Sequence, residues 1–115
     1  MAGIVKEGKR HRYIGFLIQG LEGKDRVERY AILQAINTCC KDLYDVSPKE
    51  MGIYLIRFNG KEGILRCSHL EKERTIALLG SIQQLSGCMV HIETLGTSGT
   101  INKLIKKHMS SAVKD

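Results

Sequence analysis

The dipeptide Asn59-Gly60 lies near the centre of the chain and joins two apolar segments, 51–58 and 63–67. Because both residues tolerate a positive φ, this pair is the strongest short-range signal for a β-hairpin. A hairpin at this point makes the two segments adjacent antiparallel strands.

A strand signal and a helix signal precede this hairpin. Residues 12–18 are mostly apolar and predict a first strand. Asp25 and Glu28 resemble a capping box, in which each side chain satisfies a free backbone N–H of the first helical turn. The apolar residues that follow at helical spacing are Ile32, Ile36, Cys39 and Leu43. Ser47-Pro48 ends this helix region, because proline restricts the preceding residue to extended conformations.

A second helix and a fourth strand follow the hairpin. Ser68 and Glu71 resemble another capping box, and Gly87 suits the C-terminal cap of the helix. The apolar stripe of this helix consists of Ile76, Leu79, Ile82 and Leu85. Residues 88–95 then predict the fourth strand.

A third helix is predicted over residues 98–109, with Ser98 as its N-cap. One face of this helix carries Ile101, Leu104, Ile105 and His108. The lysines lie mostly on another face and are Lys103, Lys106 and Lys107. The helix is therefore amphipathic, and its basic side faces away from the surface that its apolar side covers.

The order of these elements is β-α-β-β-α-β-α, which predicts one α+β domain over residues 1–115. Right-handed crossovers turn that order into a ferredoxin-like or RNA-recognition-motif-like βαββαβ sandwich with an additional C-terminal helix. In this topology the first strand separates the third strand from the fourth. Residues 1–11 are expected to form a basic N-terminal arm and residues 110–115 a tail.

Both faces of the predicted sheet are apolar. In the first strand, Ile14, Phe16 and Ile18 point to one side, and Tyr13 and Leu17 to the other. In the second strand, Ile53 and Leu55 are expected to oppose Tyr54, Ile56 and Phe58. The two crossover helices cover only one face, so we expect the C-terminal helix to cover the second.

The net charge of +6 is concentrated at the two ends of the chain. Residues 1–12 and residues 101–115 each carry four basic residues and one acidic residue, whereas 13–100 is neutral. Two interpretations are open from the charge alone. The basic ends bind a polyanion, or they are solvated segments that aid solubility.

Base stacking on the sheet is not expected, although RNA-recognition motifs commonly use it. The third strand, 63–67, supplies no aromatic residue, so any nucleic-acid binding should rely on phosphate contacts from the ends and loops. The segment Thr94–Ile101 combines small hydroxyl residues and glycines at a helix start. This arrangement suits an anion-binding helix N-terminus, and it equally suits simple capping by Ser98.

The sequence gives little support for metal binding or side-chain catalysis. The pairs Cys67-x-His69 and Cys88-x-x-His91 lack the usual spacing of a zinc site. The four cysteines are expected to be free thiols, and no nucleophile–base arrangement is recognisable. No apolar run is long enough to span a bilayer, and the N-terminus lacks a secretory signal, so we expect a soluble cytoplasmic protein.

Three stretches also carry a family resemblance. They are Arg12-Tyr13-Ile14-Gly15-Phe16, Gly63-Ile64-Leu65-Arg66-Cys67 and Thr94-Leu95-Gly96-Thr97-Ser98-Gly99-Thr100-Ile101. With Arg74, Ala77, Leu78 and Gly87, they resemble the ribonuclease P protein component 2 family in its short archaeal form. The resemblance covers roughly residues 10–107. The chain departs from it at Asn102, where the family often has a basic residue.

The resemblance implies a noncatalytic protein subunit of ribonuclease P, the enzyme that removes the 5′ leader from precursor tRNA. The RNA subunit would perform the Mg²⁺-dependent hydrolysis, and the protein would bind no cofactor and no metal of its own. The implied partners are the ribonuclease P RNA, precursor tRNA and ribonuclease P protein component 3, a TIM-barrel-like subunit. A heterotetramer would form through contact between two component 2 chains.

The expected RNA-facing residues combine the basic ends with the glycine-containing segment. They are Arg10, His11, Arg12, Arg66, Ser98, Gly99, Thr100, Lys103, Lys106 and Lys107. The protein-partner surface is expected on the first two helices or around Tyr54 and Phe58. Two alternatives are a generic RNA-binding or ribosomal-type module and an acylphosphatase-like small enzyme, which would use an Arg and an Asn near a glycine loop.

Overall fold

A computed structural model describes residues 10–20, 27–85 and 87–109. The strands are β1 (His11–Gln19), β2 (Tyr54–Phe58), β3 (Glu62–Ser68), β4 (Gln84–Leu85), β5 (Cys88–Met89) and β6 (His91–Ser98). The helices are α1 (Arg29–Tyr44), α2 (Lys72–Ser81) and α3 (Ile101–His108). Two 3₁₀ turns, Pro48–Met51 and His69–Glu71, precede β2 and α2.

The main sheet has the strand order β2-β3-β1-β6, and all of its strand pairs are antiparallel. The first strand therefore separates the third strand from the last strand of the sheet, as the sequence predicts. The predicted fourth strand, 88–95, is wrong in its extent. Cys88–Met89 instead pairs with Gln84–Leu85 in a separate hairpin, and the sheet strand is His91–Ser98.

The first hydrophobic core lies between the sheet and helices α1 and α2. Ile14, Phe16 and Ile18 are fully buried there, as the alternation of β1 predicts. Phe16 and Phe58 stack with their ring centroids 6.2 Å apart. Gly63 lies between them in register, and a Cβ at this position would come within 3.0 Å of the Phe16 ring. The missing side chain therefore permits the stacking across β3.

The second core lies on the opposite face of the sheet and confirms the predicted role of the C-terminal helix. Its buried residues are Ile64, Leu104 and Ile105. Tyr13, Ile56, Ile101 and Met109 pack around them. Gly15 and Gly96 are paired across β1 and β6, and a Cβ on either would collide with Met109 or with the His108 ring. The two glycines therefore let the last turn of α3 lie directly on the sheet.

A register shift in β2 changes which residues face each core. Leu55 pairs with Leu65 and Arg57 pairs with Ile64, so two steps along β2 match one step along β3. This irregularity reverses the alternation after Ile56. The prediction that Phe58 shares a face with Tyr54 is consequently wrong, because Phe58 packs in the first core. Arg57 moves to the face covered by α3.

The hairpin at Asn59-Gly60 is confirmed, but its turn differs from the expected one. Only Gly60 has a positive φ, of 97°. The Asn59 side-chain oxygen accepts hydrogen bonds from the backbone N–H groups of Lys61, at 3.0 Å, and Glu62, at 2.8 Å. Asn59 thus stabilises the turn through its side chain and without a left-handed backbone.

The start and the buried stripe of α1 differ from those predicted. Glu28 is the N-cap and makes no side-chain capping bond, whereas Asp25 lies outside the described residues. Cys40 is fully buried and Leu43 is 49% exposed. The Cys40 Sγ packs 3.4 Å from the Met51 Sδ, and Tyr44 packs against the same core. The buried stripe therefore continues every fourth residue from Ile36, which leaves Leu43 outside it.

The ends of α2 and α3 also differ from the predictions. Ser68 makes no side-chain capping bond, because a 3₁₀ turn intervenes before α2. Ile82 and Leu85 are buried beyond the end of α2, and Gly87 lies at the turn between β4 and β5. The N-cap of α3 is Thr100, and Ser98 is the last residue of β6.

The prediction of four free thiols is confirmed. Burial raises the pKa of the Cys40 and Cys67 thiols above their usual value, so both remain protonated at neutral pH. Within the described residues, no helix is both long and apolar enough to cross a bilayer.

Candidate nucleic-acid interface

The start of β1 is held beside the end of β3. The Arg10 carbonyl accepts a hydrogen bond from the backbone N–H of His69 at 3.1 Å, and His11 is paired with Ser68. The His69 Nδ1 lies 3.4 Å from the same carbonyl. Arg10 is exposed, and His69 is an additional polar residue that the sequence suggested only as a metal ligand and not as an RNA-facing residue. Its position directly after the strand that pairs with β1 is the signal that could have identified it.

The segment from Ser98 to Thr100 lies at this same end of the sheet. Ser98 is paired with Tyr13, and a Cβ on Gly99 would lie 3.8 Å from an Arg12 guanidinium nitrogen. The Ser98 hydroxyl accepts a hydrogen bond from the Thr100 N–H, and the Thr100 hydroxyl accepts one from the Lys103 N–H, both at 3.3 Å. The residue that caps α3 is therefore Thr100 and not Ser98. Anion binding by this segment stays a prediction.

Arg66 joins this group through the register of the sheet. Tyr54, Arg66 and Tyr13 lie side by side on β2, β3 and β1. The centre of the Arg66 guanidinium lies 4.7 Å from the centroid of the Tyr54 ring. We call the predicted residues at this end of the sheet the strand-end cluster. Its members are Arg10, His11, Arg12, Arg66, Ser98, Gly99 and Thr100.

The remaining predicted residues lie on the outer side of α3. Lys103, Lys106 and Lys107 are exposed, whereas Leu104 and Ile105 point to the sheet. None of the residues of α3 is acidic. Arg57 joins them, because it lines a pocket of about 320 Å³ together with Lys106, Asn102 and Ile105. We call Arg57, Lys103, Lys106 and Lys107 the cationic helix face.

Sequence reasoning missed Arg57 because simple alternation places it with Ile53 and Leu55, facing the first core. The register shift at Ile56 brings it to the side of Asn102. The available signal was a charged residue at a strand position where alternation expects an apolar one. A strand tolerates such a residue when a bulge turns its side chain away from the core. A cation thus lies beside Asn102, at the place where the resemblance leads one to expect a basic side chain.

Arg66 and the cationic helix face lie on the side of the sheet that α3 covers. Arg12 is paired with Cys67 of the first core and reaches the edge of the sheet beside Gly99, just before α3 begins. Closely spaced cations raise the local concentration of a polyanion, and each phosphate contact releases a condensed counterion. This arrangement can bind a nucleic-acid backbone.

The opposite side of the molecule has a different character. A groove of about 700 Å³ runs between α1 and the segment that follows α2. Among the described residues that line it, Glu28 alone is charged, and Tyr30, Ala35, Cys39, Ile82 and Leu85 supply aromatic and apolar surface. Such a surface suits a protein partner better than a polyanion.

The described residues contain no group of three or more His, Cys, Asp or Glu side chains placed to hold a metal ion. The Cys67 side chain is buried in the first core, whereas His69 lies outside it beside Arg10. The two residues of the Cys67-x-His69 pair therefore lie in different environments.

Comparison with known proteins agrees with the sequence resemblance. The model of the Rpp14/Pop5 family matches residues 12–109. Ribonuclease P protein component 2 of Pyrococcus furiosus is 29% identical over 104 residues, which cover 88% of this chain and 84% of that protein. The protein of the same name from Archaeoglobus fulgidus is 27% identical over 100 residues, covering 87% of this chain and 89% of that protein.

A solved structure shares the fold. A chain in the cryo-EM structure of yeast ribonuclease MRP matches with a TM-score of 0.61, covering 80% of this chain and 76% of that chain at 14% identity. The likeness extends over the same mixed α/β architecture. Since the family model also covers most of the sequence, the chain belongs to the Rpp14/Pop5 family.

Proposed function

We propose that this chain is a noncatalytic protein subunit of ribonuclease P, which supports the catalytic RNA in removing the 5′ leader from precursor tRNA. The observation that carries the proposal is the set of exposed lysines on α3, with further cations at the strand ends beside the start of that helix, in a member of the Rpp14/Pop5 family. The RNA performs the hydrolysis with Mg²⁺, and the protein contributes no catalytic side chain. The cytoplasmic location expected from the sequence is part of this proposal.

The physical role of the protein is to reduce phosphate repulsion in the folded RNA. A compact catalytic RNA brings many phosphates together, and Mg²⁺ or protein cations must compensate for that charge. Lys103, Lys106 and Lys107 are exposed on a helix that is anchored by its own apolar face, so their positions are fixed relative to one another. Fixed cations lose less freedom on binding than a flexible basic tail. The RNA then needs less Mg²⁺.

The groove between α1 and the segment that follows α2 binds another protein subunit. Ribonuclease P protein component 3 is the expected partner, in a heterotetramer that two copies of this chain join. The groove lies on the helix side of the sandwich, and the cationic helix face lies on the far side of the sheet. A protein bound in the groove would leave the cations available to the RNA.

The test is reconstitution of the enzyme. Ribonuclease P RNA and its other protein subunits are assembled with and without this chain, and the 5′ ends of the products from precursor tRNA are mapped. We expect cleavage at the mature 5′ end to be at least about tenfold faster with the chain, at a Mg²⁺ concentration that limits the RNA alone. Equal rates would exclude the proposed role.

The same preparation separates the alternatives. A generic RNA-binding module would bind the RNA without accelerating cleavage and would not bind component 3. An acylphosphatase-like enzyme would hydrolyse an acyl phosphate as the purified chain, without any RNA. We expect neither result.

A further inference from the structure

Arg66, Tyr54 and Tyr13 form a row across three adjacent strands that α3 leaves partly open. Tyr13 packs against the second core, whereas Tyr54 is 43% exposed. The Arg66 guanidinium covers one side of the Tyr54 ring. We call these three residues the tyrosine–arginine row.

Arg66 is charged and half-buried, but its charge is not balanced within the described residues. No carboxylate forms an ion pair with it there, and its Nε is buried without a hydrogen-bond partner. The acidic residue of its own strand, Glu62, lies four positions away at the other end, or about 13 Å. A cation–π contact alone compensates little of the cost of burying a guanidinium. We therefore expect a group from a binding partner to compensate the charge of Arg66.

We propose that the tyrosine–arginine row binds an unpaired nucleotide of RNA. The base stacks on the exposed Tyr54 ring, and its phosphate accepts hydrogen bonds from the Arg66 guanidinium. A guanidinium matches the geometry of phosphate oxygens, and aromatic and guanidinium planes are the surfaces on which proteins hold unstacked bases. This inference rests on the proposed function, because it requires that the cationic side of the protein faces RNA.

The surroundings favour a nucleotide over the carboxylate of a protein partner. Tyr13 is paired with Ser98 as well as with Arg66, so the row runs into the strand-end cluster with its additional cations. A carboxylate would neutralise Arg66 but would leave the Tyr54 ring without a contact. A nucleotide uses the charge and the ring together.

Base stacking was not expected from the sequence because the third strand supplies no aromatic residue. That strand indeed carries an arginine in place of an aromatic residue. The tyrosines of the row come from the strands on both sides of it, and only the register shows that they are neighbours.

The test uses the full chain and a labelled single-stranded RNA of about ten nucleotides and mixed sequence, with a duplex of the same sequence for comparison. We expect Tyr54→Leu to weaken binding of the single strand by about tenfold and to change duplex binding by less than about twofold, since only an unpaired base can stack. Tyr54→Phe keeps the ring and should bind the single strand within about twofold of the unsubstituted chain. Because the protein has no tryptophan, tyrosine fluorescence reports stacking directly. The Tyr54→Phe variant should lose most of the RNA-dependent quenching while it keeps its affinity.

Other results would overturn the inference in distinguishable ways. Unchanged single-strand affinity of Tyr54→Leu, with salt-dependent binding preserved, would reject the nucleotide site and leave the proposed function intact. An equal loss of single-strand and duplex binding would assign Tyr54 a merely structural role. A glutamate-rich peptide that binds the unsubstituted chain but not Arg66→Lys, while RNA binding is unaffected, would assign the row to a protein partner. Failure of the unsubstituted chain to bind either RNA would reject the nucleotide site, whereas the proposed function is decided by the reconstitution.

Discussion

Leu104→Ala is expected to lower the free energy of unfolding by about 3 kcal/mol, as a buried leucine replaced by alanine typically does. Leu104 is 0% exposed and belongs to a second core with only two other buried residues, Ile64 and Ile105. The cavity would remove much of the apolar contact that holds α3 on the sheet. Urea unfolding followed by circular dichroism measures the change.

Lys103→Ala is the matched control for this prediction. It lies on the same helix, one residue earlier, with its side chain exposed. A substitution at such a position usually changes the free energy of unfolding by less than about 0.5 kcal/mol. If Leu104→Ala and Lys103→Ala had equal effects, α3 would not be anchored on the sheet through this core.

Replacing Lys103, Lys106 and Lys107 together with alanine is expected to weaken binding to the ribonuclease P RNA by more than about tenfold at 0.1 M salt. Each lysine that contacts a phosphate releases a counterion when it binds. The plot of log affinity against log salt concentration should therefore become shallower by about 2. Filter binding over a series of salt concentrations measures both quantities.

The control is a second triple variant with the same change in net charge. Lys41, Lys49 and Lys61 are exposed and lie outside both the strand-end cluster and the cationic helix face. Their replacement with alanine should leave the slope within about 0.5 of the original. Equal slopes for the two triple variants would mean that the effect comes from net charge and not from the position of α3.

The sequence predicts the architecture well because the relevant signals are local or follow from topology. Asn59-Gly60 marks the hairpin, and the alternation of Ile14, Phe16 and Ile18 defines the first core. The two crossover helices cover only one apolar face of the sheet. The need to cover the other face therefore predicts the position of α3. None of these inferences requires knowledge of a particular side-chain contact.

The predictions that are wrong depend on tertiary contacts. A single register shift at Ile56 exchanges the faces of Arg57 and Phe58, and a period-two pattern does not contain it. The stripe of α1 runs through Cys40 and Tyr44, where Cys39 and Leu43 were expected, and Met51 of the 3₁₀ turn packs against Cys40. The starts of α2 and α3 move by three and two residues, because Ser68 and Ser98 are the last residues of the preceding strands.

The residues of the candidate site also divide into those that the sequence identifies and those that only the fold brings to the site. The lysines of α3 are identified from helical periodicity alone, and the structure places them together on one exposed side. Arg57 joins the site through the register shift that turns it toward α3, Tyr54 through its pairing with Arg66, and His69 through its contact with Arg10. The contribution of the fold is therefore to bring cations and rings from separate segments to one surface.

The requirement for Mg²⁺ tests the central claim most directly. Precursor tRNA cleavage is measured against Mg²⁺ concentration for the reconstituted enzyme, for the enzyme lacking this chain, and for the enzyme with the Lys103, Lys106 and Lys107 alanine variant. The account predicts the lowest half-maximal Mg²⁺ concentration with the unsubstituted chain, the highest without it, and an intermediate value for the variant. An identical Mg²⁺ requirement in all three enzymes would contradict it.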